Sequence, residues 1–332
     1  MKILPIISLF LFLLAPFGIS QLFDWNAEAL PGVKIDTVAF RGWIPEATSV
    51  IRGTLVLIPG RHGDGRGMAT DPRWQALATE MGFAVIGCQF TNGEPFPYQS
   101  DPQGEVARSI NTAVEHLSAE SKHPEIASAP LAFWGTSAGS NVSACYCREF
   151  PLRVAAFASS KGTFGPGDNT SSESRDIPMF FALGAEDKAE WIGPSMASIE
   201  KGTKLRAPWT LAFHKKEGHG VGNSLDAAIP FIRSAVEQRL NPPVSNPSTS
   251  TKTPLAGFKT KLPGFSKPAA APTQTVAKVK LFKINQQNGW LGNPVTYEVA
   301  LAKDYKGSRS NAIWLPDELA ALAWQKYLQS GL

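Results

Sequence analysis

Apolar residues in this chain follow two rhythms. Short unbroken runs at 83–90, 131–134, 154–158, 178–183 and 209–213 have the pattern of strands buried on both faces of a sheet, and the run at 50–58 becomes continuously apolar toward its end. Between these runs the apolar positions recur at helical spacing: Leu77, Ala78 and Met81; Val106, Ile110, Val114 and Leu117; Ile229, Ile232 and Val236. Asp71-Pro72 and Asp101-Pro102 each supply an N-cap and a first-turn proline, and Gly82 is placed to stop the first helix. A strand over 33–44 precedes the 50–58 run, and these two neighbours are expected to pair as an antiparallel edge. From there to residue 240, strands alternating with helices predict an α/β fold: a mostly parallel sheet flanked by helices on both faces.

The two ends of the chain read differently. Lys2, the apolar stretch 3–17 and the small residues of Gly18-Ile19-Ser20 form an export-signal pattern, which predicts cleavage before Gln21 and a periplasmic or secreted protein. The stretch is too short and Pro-interrupted for a stable membrane anchor, although an uncleaved N-terminal anchor is the alternative. The expected organisation is therefore a signal segment at 1–20, an α/β domain at 21–240, a linker rich in Pro, Ser and Thr at 241–275, and a C-terminal extension at 276–332. Within the extension a strand is expected over 276–284 and a helix over 318–328. Its Trp290, Tyr297, Tyr305, Trp314, Trp324 and Tyr327 suit either docking onto the larger domain or carbohydrate binding.

Composition adds mainly exclusions. Among 332 residues, 43% are hydrophobic, 18% are charged and the net charge is +4, without a basic run interleaved with aromatics, so nucleic acid is not an expected partner. Three cysteines make no disulfide framework. Cys145 and Cys147 point to different faces of a helix and cannot pair with each other, which leaves either a buried reduced set or a bridge from Cys88 to one of them. No metal or organic cofactor is implied, since Cys-x-Cys has no further ligands nearby and the Gly-rich loop at 60–67 lacks the Gly-Lys-Ser/Thr of a phosphate cradle.

The candidate chemistry begins at Gly135-Thr136-Ser137-Ala138-Gly139, a G-x-S-x-G between an apolar strand and a helix. In that position a strained turn holds a serine hydroxyl above a sheet edge. A serine nucleophile needs a base, and in this arrangement an acid and then a histidine should follow in chain order. Gly184-Ala185-Glu186-Asp187 follows the 178–183 strand, and Gly218-His219-Gly220 follows the 209–213 strand. Ser137, Asp187 and His219 therefore have the required order, each just past a strand's C-terminal end. Glu186 is the rival acid and His214 the rival base. An oxyanion would need two donors: the Ala138 amide, and one after Pro59-Gly60, either Arg61 or His62. His62, Phe96, Tyr98 and Trp191 are candidate walls of a substrate cleft.

Ile58-Pro59-Gly60, the G-x-S-x-G segment, Gly184-Ala185-Glu186-Asp187 and Gly218-His219-Gly220 together resemble the α/β-hydrolase superfamily over residues 33–240. Within it, the chain is similar to secreted bacterial esterases of the polyhydroxybutyrate depolymerase, feruloyl esterase and dienelactone-hydrolase-like group. The tail segments Gly289-Trp290-Leu291-Gly292 and Trp314-Leu315-Pro316 resemble C-terminal extensions of some environmental bacterial hydrolases. The resemblance implies a serine carboxylesterase acting on a small-molecule or polymer-linked ester through an acyl-enzyme. One departure is Pro59-Gly60, where many relatives carry His-Gly, and it bears on the second oxyanion donor. A serine peptidase, an acyltransferase or a non-catalytic carbohydrate- or polymer-binding protein are the alternative functions.

Overall fold

The computed structural model describes residues 21–27, 35, 37–46, 48–91, 105–162, 171–241 and 279–332. Residues 1–20 with the expected signal segment, the cleft candidates Phe96 and Tyr98, the expected Asp101-Pro102 cap and residues 242–278 lie outside them.

Eight strands form one sheet: β1 (Gln21–Ala27), β2 (Thr37–Ile44), β3 (Gly53–Ile58), β4 (Phe83–Thr91), β5 (Leu131–Thr136), β6 (Val154–Ser160), β7 (Met179–Gly184) and β8 (Trp209–His214). Their order is β1-β2-β4-β3-β5-β6-β7-β8, antiparallel from β1 to β4 and parallel from β4 to β8. Helices α1 (Pro72–Met81), α2 (Glu105–Ser121), α3 (Ala138–Glu149), the single turn α4 (Ser172–Arg175), α5 (Ala189–Lys204) and α6 (Leu225–Leu240) connect or flank them. This is the α/β-hydrolase arrangement.

The antiparallel edge exists, but its partners differ from the expected ones. β2 does not pair with β3; β4 lies between them, and β2 pairs instead with β1, a strand not anticipated from the sequence. β1 is an edge strand whose Phe23 and Trp25 pack on the core while Leu22 and Asp24 face water, so it lacks the unbroken apolar run of the central strands. The structure also adds α5, which supplies the crossover that two parallel strands require. Gly193-Pro194 and Gly202 interrupt its helical signal in sequence.

Successive residues of a strand face opposite sides, so the sheet builds two cores. On one side Val56, Ile86, Phe133 and Phe157 meet α2 and α3 through Val106, Ile110, Val142 and Tyr146. On the other, Leu55, Leu57, Val85 and Phe180 meet Trp74 and Leu77 of α1 and Phe231 and Ile232 of α6. Cys88, Cys145 and Cys147 are buried, and no disulfide joins them.

The C-terminal segment joins the second core. It contains β9 (Trp290–Gly292), β10 (Val299–Leu301) and β11 (Ile313–Leu315) in a small antiparallel sheet ordered β10-β9-β11, followed by α7 (Glu318–Gln329). Of the strand expected over 276–284, the described part, residues 279–284, has no regular structure, and Leu281 and Ile284 pack irregularly on the second core. Tyr297, Trp314, Trp324 and Tyr327 are buried, and Trp290 and Tyr305 are half-buried. They fill a packed contact rather than offering an exposed stacking platform. The Trp324 indole N–H donates to the Leu211 carbonyl of edge strand β8 at 2.8 Å, and the Thr210 hydroxyl donates to the Trp314 carbonyl at 2.5 Å. The segment thus covers a strand edge that would otherwise present unpaired backbone groups.

Candidate active site

Ser137 sits between β5 and α3 with φ 51 and ψ −122. A side chain at positive φ is strained by about 1–3 kcal/mol, and the surroundings must hold it there. The Ser137 N–H donates to the Ser160 carbonyl at 2.9 Å, and its own carbonyl accepts from the amides of Ser140 and Asn141 as α3 begins. The flanking glycines are sterically required: a Cβ at Gly139 would run into the Ile58 carbonyl, and one at Gly135 into the backbone of Gly139. Strand, turn and helix cross at contact distance, and this close crossing aims Ser137 Oγ away from the sheet.

The loops after β7 and β8 converge on that hydroxyl. His219 Nε2 lies 2.7 Å from Ser137 Oγ, and His219 Nδ1 lies 2.8 Å from Asp187 Oδ2. Because a carboxylate only accepts, Nδ1 carries the proton toward Asp187, leaving Nε2 free to accept from the serine. The second oxygen of Asp187 takes the Lys188 amide at 2.8 Å, which fixes the carboxylate's orientation. The Asp187 side chain is 5% exposed and that of His219 32%, so the acid is sheltered while the imidazole faces the opening.

Neither rival joins this cluster. Glu186 is exposed. His214 is buried, with Nε2 3.1 Å from Ser330 Oγ, Nδ1 accepting from the Lys216 amide, and its ring 4.8 Å from that of Tyr327. His214 therefore seats the C-terminal helix.

The remaining candidates surround the serine unevenly. Trp191, in the first turns of α5, lies against the His219 ring at 4.3 Å between centroids, with Lys188 Nζ 4.4 Å over its indole. Arg61 and His62 are exposed at the centre of a turn closed by the Gly63 amide on the Gly60 carbonyl at 2.9 Å, His62 taking φ 60. Gly60 abuts Ser137, since a Cβ there would fall 3.5 Å from that of the serine. Among the described residues neither the Ala138 nor the Arg61 amide donates to a protein acceptor. Ala138 also opens α3, where unsatisfied amides and the helix dipole favour negative charge. The described residues contain no group of three or more His, Cys, Asp or Glu able to hold a metal ion.

The sequence pattern assigns no role to Lys161 or Glu217 and marks Tyr327 only as a docking or carbohydrate-binding aromatic. The three form a buried polar cluster beside the His219 loop, and no spacing rule links residues so far apart in the chain.

No protein-family model matches the sequence, and no curated protein matches it. Solved structures to which it is similar include a thermostable esterase at 15% identity and TM-score 0.46, covering 59% of this chain and 54% of that one. A bacterial heroin esterase is 16% identical with TM-score 0.48, covering 65% of this chain and 84% of that one. A ferulic acid esterase is 10% identical with TM-score 0.48, covering 66% and 99%. The chain thus spans little more than half the length of the thermostable esterase.

Proposed function

We propose that this protein is an exported serine carboxylic ester hydrolase. The observation that carries the proposal is the Ser137–His219–Asp187 relay, with its links of 2.7 and 2.8 Å. Ser137 Oγ attacks the ester carbonyl carbon while His219 Nε2 takes the hydroxyl proton, and Asp187 stabilises the imidazolium that forms. The oxyanion is held by the amides of Ala138 and Arg61. Collapse of the tetrahedral intermediate expels the alcohol, which receives the proton from His219. Water, activated by the same histidine, then hydrolyses the acyl-enzyme. Trp191 walls the opening above His219, where it excludes water from one side of the imidazole.

The expected substrate is a small-molecule or polymer-linked ester, and no cofactor takes part in these steps. Export rests on the N-terminal signal pattern, with a periplasmic or secreted destination. The deciding experiment follows hydrolysis of p-nitrophenyl acetate, butyrate and octanoate and of a feruloyl ester, together with labelling by a fluorophosphonate. Serine-dependent turnover and labelling at Ser137 are expected. Labelling without ester turnover would point instead to a peptidase or acyltransferase, and no labelling to a binding protein.

A further inference from the structure

The loop that carries His219 is fastened by one carboxylate. Glu217 Oε1 accepts from the Asn223 amide at 2.9 Å, closing residues 217–223 into a ring with His219 inside. Glu217 Oε2 accepts from Lys161 Nζ at 2.7 Å and from the Tyr327 hydroxyl at 2.5 Å, and Lys161 Nζ also donates to the Tyr327 oxygen at 3.3 Å. Gly222 has φ +54, and a Cβ there would strike the Glu217 carboxylate. The loop is therefore shaped around this group.

The cluster adjoins all three segments of the relay. Lys161 directly follows Ser160, whose carbonyl anchors the Ser137 amide and whose hydroxyl lies 2.8 Å from that of Ser224 at the end of the His219 loop. The Glu217 carbonyl accepts from the Glu186 amide at 3.0 Å, one residue before Asp187. The third member, Tyr327, comes from α7 in the C-terminal segment and touches neither Ser137 nor its two partners. Buried charges keep a defined geometry only when their remaining donors and acceptors are satisfied, and the Tyr327 hydroxyl completes this set from outside the α/β domain.

We infer that Tyr327 is a positioning residue for the ester-hydrolase reaction proposed above: the C-terminal helix holds the His219 loop in its productive geometry through the Lys161–Glu217 pair. The inference rests on that functional reading and gives the C-terminal segment a part in catalysis through docking.

The test is Tyr327→Phe in the full chain, which removes the hydroxyl and retains the ring packed on His214. The expected result is a fall in kcat and in the fluorophosphonate labelling rate of about tenfold, with KM unchanged. The cooperative melt should persist, and the downfield proton resonance of the His219–Asp187 hydrogen bond should broaden or shift. A folded Tyr327→Phe protein with full kcat and an unchanged resonance overturns the inference. Should that variant fail to melt cooperatively, the double variant Lys161→Met with Glu217→Gln carries the test with the same two outcomes, since Gln still accepts from Asn223 and no buried charge is stranded. Ser137→Ala run alongside separates the two ideas. If it is inactive while Tyr327→Phe is fully active, only the positioning inference fails; if it retains turnover, the hydrolase reading fails and this inference with it.

Discussion

Two polar clusters share the loop after β8 and are built to opposite specifications. Ser137, His219 and Asp187 meet at an opening, with the imidazole a third exposed, whereas the Lys161 side chain is wholly buried against Glu217 and Tyr327. Solvent reaches the imidazole of the open cluster, and Ser137 carries no charge, so the serine can be altered without stranding one. The closed cluster is satisfied from within the protein, so losing Lys161 or Glu217 leaves its partner's charge buried without a counter-charge. The difference separates the residues proposed to carry out the reaction from those inferred to hold the loop in place.

The sharpest way to break this distinction is Ser137→Ala. Turnover of a p-nitrophenyl ester should fall on the order of 10⁴-fold or more, with the melting temperature essentially unchanged. Asp187→Asn should lose activity on a similar scale, because it reverses the preference for the Nδ1 proton while leaving the shape intact. A stability loss matching the activity loss in either variant would erase the contrast.

The closed cluster should respond in the opposite sense. Lys161→Ala leaves the Glu217 carboxylate buried without its cation and should destabilise the fold by about 3–5 kcal/mol, read from urea unfolding. The double variant Lys161→Met with Glu217→Gln should recover most of that loss, since it removes both charges together.

The clusters also differ in how legible they were from sequence. Ser137, Asp187 and His219 each lie just past a short apolar run, so local pattern and chain order pointed to all three, and the same apolar runs marked the central strands. Lys161 follows such a run too, but its partners come from 56 and 166 positions away. The sheet order brings Glu217 to Lys161 and the docking of α7 adds Tyr327, and neither juxtaposition has a local signature. Tertiary context governed the other misses as well. Sequence adjacency suggested that β2 pairs with β3, but the sheet places β4 between them. The apolar residues near Leu281 and Ile284 gave a strand-like pattern, yet they meet the core as irregular chain.

Trp324 tests the seat of α7 at intermediate cost. Trp324→Phe keeps most of the apolar contact but leaves the Leu211 carbonyl on β8 without its indole donor, so a loss of about 1–2 kcal/mol is expected. If the closed cluster acts as inferred, activity should decline with the docking of the helix. Unchanged stability would mean that the edge of β8 needs no cover.

Acid should reveal the closed cluster more gently. Burial pushes the Glu217 carboxyl upward, but Lys161, Tyr327 and the Asn223 amide outweigh it, and the group is held below the ordinary glutamate value. A carboxyl depressed in the folded state contributes stability that is present above its unfolded value of about 4.3 and lost as pH falls through the folded one. The urea midpoint should therefore drop between pH 7 and about pH 3.5, and Lys161→Met with Glu217→Gln should lessen that drop. An identical drop in the double variant would place the acid sensitivity in other depressed carboxyls, such as Asp71 beside Arg73 and Asp64 beside Arg66.

The smallest effect belongs to an ion pair of nearly the same geometry in the opposite setting. Arg41 on β2 grips Asp24 on β1 through two hydrogen bonds of 2.8 and 2.9 Å, close to the 2.7 Å of Lys161 on Glu217. These side chains are 31% and 52% exposed, so water competes for both charges and either can be left alone without desolvation. Arg41→Met should therefore cost no more than about 1 kcal/mol and leave ester turnover untouched. Added salt should weaken the wild-type pair and narrow even that margin. If Arg41→Met proved as damaging as Lys161→Ala, bond length rather than burial would rank these pairs, and the division between open and closed clusters would lose its physical basis.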